Sequence, residues 1–99
     1  MSEPLTILAH VRAKAGKESR LREELQRLIA PSRAEAGCVD YVLHQSLKDP
    51  TLFMFYENWK SKADLEAHRR TPHLQALGKV APELLEGPTE ITEWKIVKW

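Results

Sequence analysis

The residues best suited to chemistry are four histidines, His10, His44, His68 and His73, set among Tyr41, Tyr56, Glu57, Asn58, Trp59 and Trp94. Imidazole gains and loses a proton near neutral pH, so the group points first to proton transfer. His68 follows Leu65 by three residues, a helical spacing that turns both toward whatever the helix packs on, and it is the leading candidate for a base. His68 also has a purely structural use, as a core-edge ring satisfied by a backbone carbonyl. His73 stands just after Pro72 at a helix start, where the positive end of the helix dipole disfavours imidazolium and helps keep the ring neutral. His10 and His44 lie in segments of strand character and face solvent or a second subunit. Trp59 precedes a capped helix, a position from which it walls a cavity or simply fills core. Glu57, two residues earlier, shares its face; if buried it needs a partner, and a salt bridge is the ordinary solution.

The elements that must position these side chains are legible as periodicities. Leu5 to Lys14 is rich in branched residues with partial alternation and ends before Gly16, which predicts a first strand. Leu21, Leu25, Leu28 and Ile29 recur at helical spacing, with Arg20, Arg22, Glu23, Glu24 and Arg27 on the other side. Pro31 should bend or end that helix, and Gly37 stops whatever continues. Cys38 to Leu47 and Leu52 to Trp59 read as an antiparallel hairpin around the turn residues Lys48-Asp49-Pro50-Thr51. Ser61 followed by Asp64 has capping-box spacing, and Thr71-Pro72 pairs a cap with proline at the first helical position, so two short helices meet near Thr71. The second carries an apolar stripe of Leu74, Leu77, Ala81, Leu84 and Leu85. Gly87-Pro88 ends it, and Thr89 to Trp99 reads as a last strand.

The order β-α-β-β-α-β is the split pattern of an α+β, ferredoxin-like fold, a four-stranded antiparallel sheet with helices on one face. Yet the third strand is apolar on both sides: Phe53, Phe55, Glu57 and Trp59 alternate with Leu52, Met54, Tyr56 and Asn58. Helices cover only one face, so an identical sheet from a second subunit is expected on the other. In this order the first strand is central and the second lies at an edge, so His10 and His44 are not neighbours. No histidine pair has i, i+4 helical spacing either, so no metal site is expected. There is no phosphate-binding glycine loop, G-x-S-x-G, H-E-x-x-H or C-x-x-C, so the common cofactor and hydrolase signatures are absent.

Composition narrows the class further. Ninety-nine residues, 42% apolar and 29% charged with four Gly and six Pro, describe a single globular domain spanning 1–99 with its core at about 5–94. Fifteen basic and 14 acidic residues leave a net charge of +1, which offers no field for nucleic acid or an anionic membrane. The longest apolar run, Leu52 to Tyr56, falls far short of the roughly 18 residues of a membrane span, and no signal-peptide pattern opens the chain. A single cysteine, Cys38, excludes an internal disulfide, so a reducing cytoplasm is expected.

The run E-N-W-K-S-K-A-D-L-E-A-H-R-R-T-P-H from Glu57 to His73, with E-A-G-C-V-D-Y-V-L-H from Glu35 to His44 and L-A-H-V-R-A-K-A-G-K in the first strand, resembles the antibiotic biosynthesis monooxygenase domain family. The likeness is closest to its small bacterial quinol monooxygenase members and covers roughly Leu5 to Trp94. It implies a homodimeric α+β barrel and oxidation of a quinol-like or phenolic molecule by molecular oxygen, with no flavin, haem or metal. In that reading His68 is the base, His73 or Tyr41 its polar partner, and Trp59, Phe53, Phe55, Glu57, His44 and His10 are candidates for binding the substrate. The T-P-H segment and the G-P at 87–88 are also shared with haem-degrading members and with proteins resembling autoinducer-2-degrading enzymes. Haem-degrading relatives carry a strand asparagine where this first strand reads Ala9-His10. An isomerase of the autoinducer-2 type and a non-catalytic small-molecule binding dimer therefore stand as alternatives.

Overall fold

In the structure, a computed structural model that describes residues 4–98, the chain forms β1 (Leu5–Arg12), α1 (Glu18–Gln26), α2 (Ile29–Arg33), β2 (Cys38–Gln45), β3 (Leu52–Trp59), α3 (Lys62–Arg69), α4 (Pro72–Leu84) and β4 (Glu90–Trp94). The four strands make one antiparallel sheet in the order β2-β3-β1-β4. This is the α+β, ferredoxin-like arrangement expected from the element order. No helix among the described residues is long and apolar enough to cross a membrane.

Three boundaries differ from expectation, each where a partner runs out. β1 stops at Arg12 rather than Lys14 because β3 begins opposite it at Leu52; Ala13 makes only an isolated bridge to Leu85. β2 stops at Gln45 rather than Leu47 because Ser46 starts the turn, its hydroxyl accepting from the amides of Lys48 and Asp49. β4 ends at Trp94, opposite Thr6, so Ile96 and Val97 lie outside the strand and exposed; Trp99, the expected strand end, is outside the described residues. The first helix breaks at Arg27 and Leu28, four residues before Pro31, whose ring has no N–H and would meet the carbonyl one turn back.

Alternation along the strands separates two faces. Ile7, Ala9 and Val11 of β1 and Phe53, Phe55 and Trp59 of β3 are buried against the helices, which add Leu21, Leu25, Leu65 and Leu84 to the core. The opposite face carries Leu8, Met54, Tyr56 and Val42 across three strands, and Tyr56 and Val42 stay more than a third exposed. Helix α3 starts where Ser61 accepts from the Asp64 amide, and α4 starts where Thr71 accepts from Leu74. Caps of this kind stabilise a helix by about 1 kcal/mol each.

Gly37 holds the loop before β2 against the start of α3. A Cβ added there would lie 2.2 Å from Cγ of Asp64, closer than atoms can approach. The Gly37 carbonyl also accepts from the Lys60 amide at 2.9 Å. Gly37→Ala should therefore lower stability by about 1–3 kcal/mol, read as a fall in the urea midpoint at constant slope. An unchanged midpoint would contradict the close approach.

Candidate functional site

Helix α3 presents Leu65 and His68 to the sheet, and both are buried. The His68 ring lies 4.4 Å from that of Trp59 and 5.4 Å edge-on from that of Tyr41, centroid to centroid. Tyr41 reaches this place because of a bulge in β2 between Cys38 and Asp40. Cys38 pairs with Trp59 and Tyr41 with Glu57, so two residues three apart share the helix side, which plain alternation would forbid. Tyr41 then stacks on Phe55 at 4.5 Å.

The carboxylate that organises the site is Glu35, in the loop between α2 and β2. One of its oxygens, Oε2, accepts from His68 Nδ1 at 2.7 Å and from His73 Nε2 at 2.9 Å. His68 and His73 come from successive helices whose junction is held by Thr71, its hydroxyl donating to the His68 carbonyl at 2.8 Å. With Nδ1 donating, a neutral His68 keeps its lone pair on Nε2. Burial pushes the His68 ring below its usual pKa, against the opposing hydrogen bond and charge of Glu35, so the neutral form dominates at pH 7.

Beside His68 lies a cavity of about 150 Å³ between sheet and helices. Ile7, Ala9 and Val11 form its floor with Phe55, and Leu25, Leu28, Leu74 and Leu77 close it from the helices. Its polar groups are Tyr41, Glu57, His68, Arg69 and Thr89. An apolar cavity of this size holds one benzene-sized ring. Glu57 is buried, and its partner is the Trp59 indole, whose Nε1–H donates to Oε1 at 2.9 Å. Burial pushes the Glu57 carboxyl up to about 7, the indole hydrogen bond opposing. Burial, reinforced by the charge of Glu57, holds the Tyr41 hydroxyl well above the ordinary phenol range, so Tyr41 can donate a hydrogen bond but is no base at neutral pH.

The structure thus gathers His68, His73, Tyr41, Glu57, Trp59 and Phe55 and leaves three candidates apart. His10 lies on the opposite sheet face, opposite Met54 and near Glu86 and Glu90. His44 is exposed on that same face, its Nδ1 donating to the Val42 carbonyl at 3.1 Å. An odd step along each strand, from Ala9 to His10 and from Tyr41 to His44, puts both on the side away from the cavity. Phe53 is on the correct face but two residues nearer the hairpin, beside Ile29 and Leu43, and does not line the cavity. Trp59 does not line it either: with no exposure at all, it backs His68 and holds Glu57. The expected salt bridge to Glu57 is replaced by that indole bond. Glu35 was missed, because nothing in a loop glutamate announces which helices it will meet; Gly37 two residues on, stopping a helix, was the nearest signal.

Residues 4–79 match the family described as Antibiotic biosynthesis monooxygenase, and the chain belongs to it. The crystal structure of PA3566 from Pseudomonas aeruginosa is similar at a TM-score of 0.94 and 40% identity, covering 99% of this chain and 98% of that one. The probable quinol monooxygenase YgiN of Escherichia coli is 31% identical over 94 residues, 83% of this chain and 89% of YgiN. A Synechocystis protein, sll1783, is 30% identical over 97% of this chain, which spans 65% of the length of sll1783.

The Glu57 carboxyl supplies a pH test. Its pKa is raised by folding, so the uncharged form favours the native state, and stability is lost as pH rises from the unfolded value near 4.5 through 7. Between pH 5 and pH 8 the wild type should lose roughly 2 kcal/mol relative to Glu57→Gln in urea unfolding. Parallel pH profiles would contradict a buried Glu57 that titrates near neutral pH.

Proposed function

We propose that the chain is a cofactor-independent monooxygenase that oxidises a quinol-like or phenolic small molecule with molecular oxygen. The observation that supports it most is a neutral histidine, held by a carboxylate through Nδ1, on the wall of an apolar cavity the size of one aromatic ring. The name of the 31%-identical YgiN points to the same substrate class.

The chemistry asks little of the protein. His68 Nε2 takes a phenolic proton, and Glu35 stabilises the imidazolium that forms. The electron-rich anion then reduces oxygen: one oxygen atom bonds to the ring, the other leaves as water, and the quinol supplies all the electrons. Tyr41 and Glu57, the latter protonated in part near neutral pH, are hydrogen-bond donors for charge developing on the substrate oxygens. The leucines and β1 side chains exclude water and so strengthen each of these interactions. His73 acts through Glu35, and Trp59 through His68 and Glu57.

The subunit acts as a homodimer in this reading. The support is the open sheet face, where Leu8, Met54, Tyr56 and Val42 form an apolar band that no helix among the described residues covers. Light scattering should give the mass of two chains, and Tyr56→Lys with Met54→Lys should give one. A monomeric wild type would contradict the pairing.

The activity is tested by oxygen uptake on chelator-treated protein with a panel of hydroquinones, against an autoxidation control. Uptake above autoxidation is expected, and His68→Ala should lower it about 10²–10⁴-fold while leaving the affinity for a non-oxidisable phenol within a few-fold. An unchanged rate in His68→Ala would remove the base role, and a panel that binds without uptake would favour a binding dimer.

A further inference from the structure

The cluster of Glu35, His68 and His73 has a property that proton transfer does not require. One ligand atom from each of Glu35, His68 and His73 lies within 4.8 Å of the other two, and His68 Nδ1 and His73 Nε2 converge on the same oxygen, Glu35 Oε2, rather than one on each. Two imidazoles and one carboxylate are the donor set that suits zinc, cobalt, nickel or copper dications, and one that magnesium and calcium leave to all-oxygen sites. An ion at the usual coordination radius of about 2.0–2.1 Å separates tetrahedral donors by about 3.3 Å, so the two N···O distances need open by only about half an ångström.

The surroundings suit an ion as well. The side chains of His68, Glu35 and His73 are 4%, 17% and 19% exposed, so little water competes for the donors. The two histidines are fixed relative to each other by the Thr71 cap at the α3–α4 junction, which lowers the ordering cost of closing a site on them. The third donor comes from a separate loop pinned by Gly37 against Asp64.

We propose that Glu35, His68 and His73 form a site for one transition-metal dication of the zinc class, and that an ion bound there turns off the base. Coordination through Nδ1 moves the ring proton of His68 to Nε2, the atom that must otherwise accept from the substrate. The metal is then an inhibitor and not a cofactor. The site stands independently of the monooxygenase reading, while the loss of turnover rests on it.

Chelator-treated, dialysed protein titrated with Co²⁺ reads the site directly through the visible ligand-field absorption, with Zn²⁺ competing the signal away. One ion per chain is expected. His73→Ala and Glu35→Gln, each confirmed folded by its thermal melt, should weaken Co²⁺ by about tenfold or more, and the exposed His44→Ala should not. Absence of saturable binding below about millimolar Co²⁺, or binding lost with His44→Ala and kept with His73→Ala, would overturn the site. In oxygen uptake with a hydroquinone, Zn²⁺ at the concentration that saturates the site in the Co²⁺ competition should lower the wild-type rate severalfold, and an unchanged or raised rate would overturn the inhibitory role. If no hydroquinone is oxidised at all, the monooxygenase reading and the inhibitory role fail together, and the Co²⁺ titration still decides the site.

Discussion

The site depends on one hydrogen-bonded carboxylate oxygen. Glu35 Oε2 joins a loop before β2 to the end of α3 and the start of α4, three pieces of chain that the sheet alone does not tie together. A carboxylate this sheltered needs donors, and the two imidazoles supply them; a buried imidazole in turn needs its N–H satisfied. The same bonds orient His68 and give it a tautomer with a free lone pair. Structure and chemistry are therefore hard to separate here: removing Glu35 loosens the helix junction and frees the ring together.

Around that oxygen the fold is arranged in shells of decreasing polarity. Trp59 stacks on His68 and donates to Glu57, so one fully buried indole supports both titratable groups on the cavity wall. Beyond them, with Tyr41, Arg69 and Thr89 as the other polar groups, the cavity wall is mostly hydrocarbon from β1, α1 and α4. Such a medium raises the cost of every unpaired charge, which is why His68 is driven toward neutrality and Glu57 toward its acid form. Glu57 is thereby brought to titrate near neutral pH, and His68 is held in the neutral form that a base requires.

Most of the fold was legible because its elements are bounded by local chemistry. Ser61, Thr71-Pro72, Gly16 and Gly87 mark ends that the chain respects. The alternation of β3 groups Phe53, Phe55, Glu57 and Trp59 on one face, but with both faces apolar it does not say which one the helices cover. What misled was pairing: β1, β2 and β4 each stop earlier than their composition suggests, because a strand lasts only as long as its neighbour or its turn allows. His68, His73, Glu57 and Phe55, which the structure gathers around Glu35 and the cavity, lie on elements whose periodicity groups them; Tyr41 joins them only through the bulge. Strand alternation already put His10 on the side away from Ile7 and Ala9, and four histidines do not make one site. Glu35 and the bulge that turns Tyr41 inward were not legible, since both are set by long-range packing rather than by periodicity.

The base assignment is most directly tested by nitrogen-15 NMR of histidine-labelled protein near neutral pH, with and without an anaerobically added hydroquinone. The free protein should show His68 neutral with its proton on Nδ1, and the complex should show the Nε2 resonance shifted as it accepts a hydrogen bond from the quinol hydroxyl. A His68 that carries its proton on Nε2, or whose Nε2 resonance does not move when the quinol binds, would contradict it.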